Sequence, residues 1–147
     1  MTDSDSTVRL EFPSTFEMID LVQVVCDHVS RQAGLDEEEL HWVGVAVRES
    51  VINAIKHGNR HDVGKLVFVE FTAFPASNPT QLVIRVKDQG EGFDPTQLAD
   101  PLAPENLLKS SGRGIFFMRS FMDDLVIQRI PEGGMEVRMV KVLPRRA

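Results

Sequence analysis

Polar and apolar positions alternate near the start of the chain, where Arg9 and Glu11 separate Val8, Leu10 and Phe12. This period of two belongs to a strand with one buried face. The period then lengthens: Ile19, Leu21, Val22, Val25, Cys26 and Val29 recur at helical spacing. Ser14 and Glu17 precede them in the form of a capping box, and Gly34 follows as a stop. A second helix is predicted from Asp36, a capping residue, with Glu37, Glu38 and Glu39 in the first turn where the helix dipole favours negative charge. Its apolar side carries Leu40, Val43, Val47, Val51 and Ala54, and it is expected to end near Gly58.

Residues 65–74 are rich in Val and Phe, and Leu82, Ile84 and Val86 alternate with polar or mixed neighbours over 81–87. Two strands joined by a loop at 75–80 are predicted. From Asp88 to Ser111 the chain is rich in Gly and Pro and has no clear period, a longer loop than a compact domain keeps without a functional reason. Residues 114–122 read as a helix with Ile115, Met118 and Met122 on one side. Residues 125–130 and 135–142 read as strands around the turn Pro131-Glu132-Gly133-Gly134. Hairpin connections outnumber strand-helix-strand crossovers, so the expected fold is α+β: a two-layer sandwich with a mixed, mostly antiparallel sheet and helices on one face. No internal repeat is evident, and residues 1–147 are expected to form a single domain.

Composition narrows the functional classes. The chain has 147 residues, 42% of them hydrophobic and 26% charged, enough for one sizeable core. Its net charge of -6 repels a phosphate backbone, so nucleic acid is not an expected partner. Cys26 cannot form an internal disulfide and sits among Val24, Val25 and Val29, which fits a buried apolar residue in a reducing compartment. No apolar run reaches the ~18 residues that span a bilayer, and residues 1–7 are polar and acidic where a signal peptide is basic and then apolar. A cytoplasmic protein without membrane association is expected.

Three stretches carry chemistry. Glu49 and Asn53 are four apart on the second helix and so project from nearly the same face. An Asn53 carbonyl suits Mg²⁺, which takes one or two protein oxygens beside water and phosphate, and Glu49 can accept a proton from a hydroxyl or water. Asp88-Gln89-Gly90-Glu91-Gly92-Phe93 follows directly on a strand. A carboxylate there can accept a hydrogen bond from an exocyclic amine such as that of adenine, while Gly90 and Gly92 let the backbone approach a flat ring. Ser110-Ser111-Gly112-Arg113-Gly114 opens a helix, whose free N–H groups make a phosphate site to which Arg113 adds charge. Each signal alone is common; their order, each on the element its chemistry needs, points to a nucleotide.

Two other nucleotide motifs are excluded. Gly58 and Gly64-Lys65 imitate a P-loop, but five residues separate the glycines and Leu66 stands in place of Ser or Thr. Gly90 and Gly92 lack the third glycine of a dinucleotide fingerprint and its strand-helix-strand setting. His57 and His61 are four apart, but Gly58 is expected to end the helix between them and no third metal ligand is evident. His57 is expected at the helix end near the phosphates, Trp42 in packing or a dimer surface, and Arg145 and Arg146 in a solvated tail.

Together these residues resemble the GHKL ATPase superfamily, and within it the bacterial anti-sigma factor serine kinases of the RsbW and SpoIIAB type. Residues Glu49 to Asn59 look like that family's N box, Asp88 to Phe93 like its first glycine box, and Gly112 to Ile115 with Met118-Arg119-Ser120 like its second. The likeness runs from about Leu10 to Val142. It implies a Bergerat-type ATP-binding fold, an adenine pocket floored by Asp88, Mg²⁺ held through Asn53, and Glu49 as general base for a substrate serine. It places the phosphates against Gly112, Arg113 and Gly114 under a lid at 94–111. Family members phosphorylate a STAS-domain anti-sigma factor antagonist and alternately bind a sigma factor, usually as homodimers. Two other readings remain open: a nucleotide-gated module that sequesters a partner without catalysis, which has no need of Glu49, and the ATP-binding part of a histidine kinase, for which the helical hairpin and phosphoacceptor segment are missing.

Overall fold

The computed structural model describes residues 5–91 and 118–144. Strand β1 (Ser6–Pro13) is followed by a 3-10 turn (Phe16–Met18), then helices α1 (Ile19–Gln32) and α2 (Glu37–Asn53), a π-helical turn (Ala54–Gly58), and strands β2 (Leu66–Phe74), β3 (Gln81–Lys87), β4 (Asp124–Arg129) and β5 (Met135–Val142). Residues 118–121 are helical. The strands make one sheet in the order β1-β2-β3-β5-β4, and every pairing is antiparallel. The α+β expectation holds, with a sheet that is antiparallel throughout rather than mixed.

The register explains the two layers. Leu10, Val69, Val86 and Val137 are aligned across four strands, and Val8, Phe71, Ile84 and Met139 form the next row; these rows face the helices. Val22, Val43, Val47, Val51 and Ile55 meet them in one core. On the other face Glu70 pairs with Arg9 and Lys87, and Glu136 with Arg85 and Lys87, at 3.6–3.9 Å. Such surface pairs add little stability individually; their effect is to keep this face polar, which confines the helices to the opposite one. Phe71, fully buried at the middle of the sheet, is expected to cost about 3–5 kcal/mol when truncated to alanine. Urea unfolding of Phe71→Ala reads that loss directly.

Helix ends follow the sequence signals, with one exception. Gly34, at φ 93°, closes α1 as Leu35 N–H donates to Ser30 O and Gly34 N–H to Arg31 O, the double bond of a Schellman motif. Asp36 caps α2 by accepting from Glu39 N–H at 2.8 Å. The predicted capping box at Ser14 does not form. The Ser14 hydroxyl instead donates to Lys65 O at 2.7 Å and accepts from Asn59, and α1 begins five residues later with no side-chain cap. Cys26 is buried in the α1 core as expected, and desolvation pushes its thiol up to about 12. The Trp42 ring packs within the chain, stacked on Phe121 at 4.3 Å.

Candidate functional site

Asp88 sits immediately after β3 and is only 7% exposed. Its backbone N–H donates to Met135 O, extending the β3–β5 ladder by one step, so the residue is anchored at the end of the central strand rather than free in a loop. Oδ1 accepts from the N–H groups of Gly90 (3.0 Å) and Met135 (3.2 Å). Desolvation raises the carboxyl pKa above its ordinary value, against the opposing effect of those two N–H groups and of Lys65. A buried carboxylate with acceptor capacity left over is poised to take a hydrogen bond from a donor on a ligand.

Backbone packs directly against this side chain. A methyl group on Gly58 would overlap the Asp88 carboxylate, and one on Gly134 would overlap the Asp88 carbonyl. Gly134 also lies at φ 92°, a conformation L side chains rarely adopt. Gly90 in turn rests on the Gly58 carbonyl. Gly58 ends the π turn that starts right after Asn53, so the polar end of α2 and the Asp88 turn meet. Five residues of helix advance about 7.5 Å along the axis, which bounds the axial distance from Asn53 to the point of contact. Glu49 and Asn53 are both partly buried on the last turns of α2. His57, on the π turn, has its pKa lowered by desolvation and then by Lys56.

Asn59 locks the two turns together, a role the sequence did not reveal. It is 1% exposed. Its Nδ2 donates to Ser14 Oγ (2.8 Å) and Leu66 O (2.9 Å), while Oδ1 accepts from Gln89 N–H (2.7 Å). Gln89 returns the link, its Oε1 accepting from Leu66 N–H at 2.7 Å. One carboxamide thus fixes the end of β1, the start of β2 and the Asp88 turn. A cavity of about 310 Å³ opens beside it, lined by His57, Arg60, Asp62, Lys65 and Glu91 among others.

Of the predicted site residues, Asn53, His57, Asp88 and Gly90 therefore lie on two elements joined by the Gly58–Asp88 contact, with Glu49 one helical turn before Asn53. Gly92, Gly112, Arg113, Gly114 and the expected lid at 94–111 lie outside the described residues. Among the described residues no cluster of three or more His, Cys, Asp or Glu side chains forms a metal cage. An Asn53 carbonyl fits a different kind of cation site, one completed by phosphate and water oxygens, as Mg²⁺ prefers.

Residues 12–141 match the model of the histidine kinase-like ATPase domain. The chain belongs to that family. It is 26% identical to the serine-protein kinase RsbW of Staphylococcus epidermidis, over 99% of this chain and 92% of the relative. To RsbW of Bacillus subtilis it is 25% identical, over 97% and 89%. The structure also resembles that of the RsbU and RsbW domains of Rv1364c from Mycobacterium tuberculosis, with TM-score 0.63 and 17% identity over 97% of this chain. It spans about a third, 34%, of that longer chain, and the likeness there is one of fold. The GHKL resemblance read from the motifs is borne out at the level of family and fold. No helix among the described residues is long and apolar enough to cross a membrane.

Proposed function

We propose that this ATPase-family chain is a protein-serine kinase and anti-sigma factor, a single cytoplasmic domain over residues 1–147 that acts as a homodimer. In this reading it phosphorylates a STAS-domain antagonist and, in alternation, sequesters a sigma factor. The observation that carries the nucleotide part is the buried Asp88 carboxylate, held by two backbone N–H groups and pressed against Gly58 from the end of α2. Asp88 accepts the adenine 6-amine through its remaining lone pairs, and Gly90 and Gly92 admit the ring. Asn53 provides the protein oxygen for Mg²⁺, with His57 beside the phosphates and Gly112, Arg113 and Gly114 cradling them from the N-terminus of the following helix. The relatives named serine-protein kinase support the choice of serine as acceptor.

Phosphoryl transfer depends on positioning and charge neutralisation more than on covalent participation. Mg²⁺ held through Asn53 would supply neutralisation of the charge on the phosphate oxygens. Glu49 takes the proton of the substrate serine as its oxygen attacks the γ-phosphorus and the bond to the β-phosphate oxygen breaks, releasing ADP. A general base contributes roughly 10²- to 10⁴-fold, about 3 to 5 kcal/mol. Glu49→Gln is accordingly expected to slow transfer of label from ATP to a STAS-domain protein by that factor while leaving ATP affinity unchanged. Binding of ATP with no transfer by the unsubstituted chain would instead assign a nucleotide-gated sequestering module.

A further inference from the structure

A second concave surface lies between α1 and α2. It is a groove of about 400 Å³ between the 3-10 turn, the first turn of α1 and the later turns of α2, lined by Phe16, Asp20, Arg48, Ile52, Lys56 and His61 together with buried Ile19. It shares no lining residue with the cavity beside Asn59. Its floor is apolar and partly open: Phe16 is 48% exposed. The ring of His61 braces Phe16 edge-on, with centroids 4.9 Å apart. Val24, one helical turn beyond Asp20 and 66% exposed, extends the apolar surface along α1.

Six cations elsewhere, Arg9, Arg31, Arg85, Lys87, Arg138 and Lys141, each lie within 4 Å of a carboxylate, while Arg60, Lys65 and Arg119, like the two at this groove, have none within 4 Å among the described residues. The two at the groove, Arg48 and Lys56, are both exposed. Two unpaired cations and one carboxylate, Asp20, surround the aromatic floor, a local excess of positive charge on a chain whose net charge is -6. His61 and the preceding Arg60 also hold left-handed φ values of 59° and 51°. Such non-glycine strain persists where surrounding structure fixes it, and it recurs at binding surfaces.

We propose that this groove docks an acidic segment of a protein partner, with a large apolar side chain seated on Phe16 and Ile52 and flanking carboxylates on Arg48 and Lys56. Asp20 on the opposite wall and the overall negative charge disfavour a phosphate backbone. Docking here does not depend on the nucleotide site. Complementary charge of this kind steers encounter and fixes orientation, and its contribution falls with salt.

The test uses the full chain and a short fluorescein-labelled peptide with glutamates on both sides of a Leu-x-x-Phe pair, against a control with lysine for glutamate. Anisotropy should show the acidic peptide binding about tenfold more tightly than the control, with affinity falling as salt rises. Arg48→Glu/Lys56→Glu should weaken the acidic peptide by about tenfold and improve the control, and Phe16→Ala should weaken both. Melting temperature of the double charge variant should stay unchanged, and Arg48→Glu alone, outside the N box, should leave ATP affinity unchanged while still weakening the acidic peptide; Arg48→Ala/Lys56→Ala serves as a milder second variant. Equal binding of both peptides, or indifference to the charge reversal, would overturn the proposal. So would sedimentation showing that the reversal dissociates a dimer, since a second copy of this chain would then occupy the groove.

Discussion

Replacing Asp88 by asparagine is expected to separate stability from function in opposite directions. The side chain keeps its shape and the Oδ1 acceptor for Gly90 and Met135, but it presents an amide donor where the adenine amine also donates. Loss of a hydrogen bond to a charged group, about 1.5–3 kcal/mol, weakens ATP by about 10- to 150-fold. Stability moves the other way. Burial raises the Asp88 pKa in the folded state, so the folded chain holds this proton more tightly than the unfolded chain. The stabilising contribution is then full below the unfolded carboxyl pKa and is lost as pH rises through the folded one. At neutral pH the apoprotein bears the cost of a desolvated charge, and Asp88→Asn removes it. The variant should melt at a higher temperature than the wild type at pH 7, and the difference should close as pH falls through the folded pKa of Asp88. A lower melting temperature for the variant at pH 7 would contradict this account of the site.

Asn59→Ala should be the most damaging polar substitution among the described residues. It leaves Gln89 N–H and Leu66 O without the side chain that satisfies them, and it takes from Ser14 Oγ the donor it accepts. At about 1–3 kcal/mol for each backbone group left unmade, with water recovering part of it, the expected loss is about 2–4 kcal/mol. Asn59→Asp retains the acceptor for Gln89 but loses both donations, so it should also destabilise. Nucleotide affinity should fall in both variants, because Gln89 carries the turn between Asp88 and Gly90. Urea unfolding with parallel ATP titration below the unfolding midpoint separates the two effects. Unchanged stability in Asn59→Ala would mean that the two turns hold together without it.

Local signals were legible in the residues and long-range ones were not. The Asp36 cap, the Gly34 stop and the alternation of β1, β2 and β3 act within a few residues, and the structure keeps them. The Ser14-Glu17 pair had the right spacing for a capping box, yet Asn59, 45 positions later, draws the Ser14 hydroxyl to a different partner. Gly134 looked like an ordinary hairpin turn residue, and nothing in its neighbourhood showed that the Asp88 carbonyl would occupy the space of its side chain. Asn59 was visible as the end of the N box, but its role depends on three segments that only the fold brings together. The candidate residues Asp88, Gly90 and Asn53 were readable because each stands at the end of a well-marked strand or helix.

The groove at Phe16 escaped sequence reading for a related reason. Arg48 and Ile52 on α2 and Lys56 on the π turn that continues it recur as a mixed stripe that resembles any solvated helix face, and only their packing against the 3-10 turn and His61 makes a concave surface of them. Exposed, unpaired cations are ordinary; the placement of Arg48 and Lys56 beside an open aromatic ring is the feature that sequence spacing does not display.

The most direct examination of the convergent nucleotide site is an amide NMR titration of the isotopically labelled chain with ATP and magnesium. Signals from Asn53 and Gly58 at one end and Gly90 and Met135 at the other should shift together and saturate on one isotherm, with GTP producing far smaller changes. Shifts confined to one of these two segments, or none at millimolar ATP, would show that Asp88 and the end of α2 do not share a ligand.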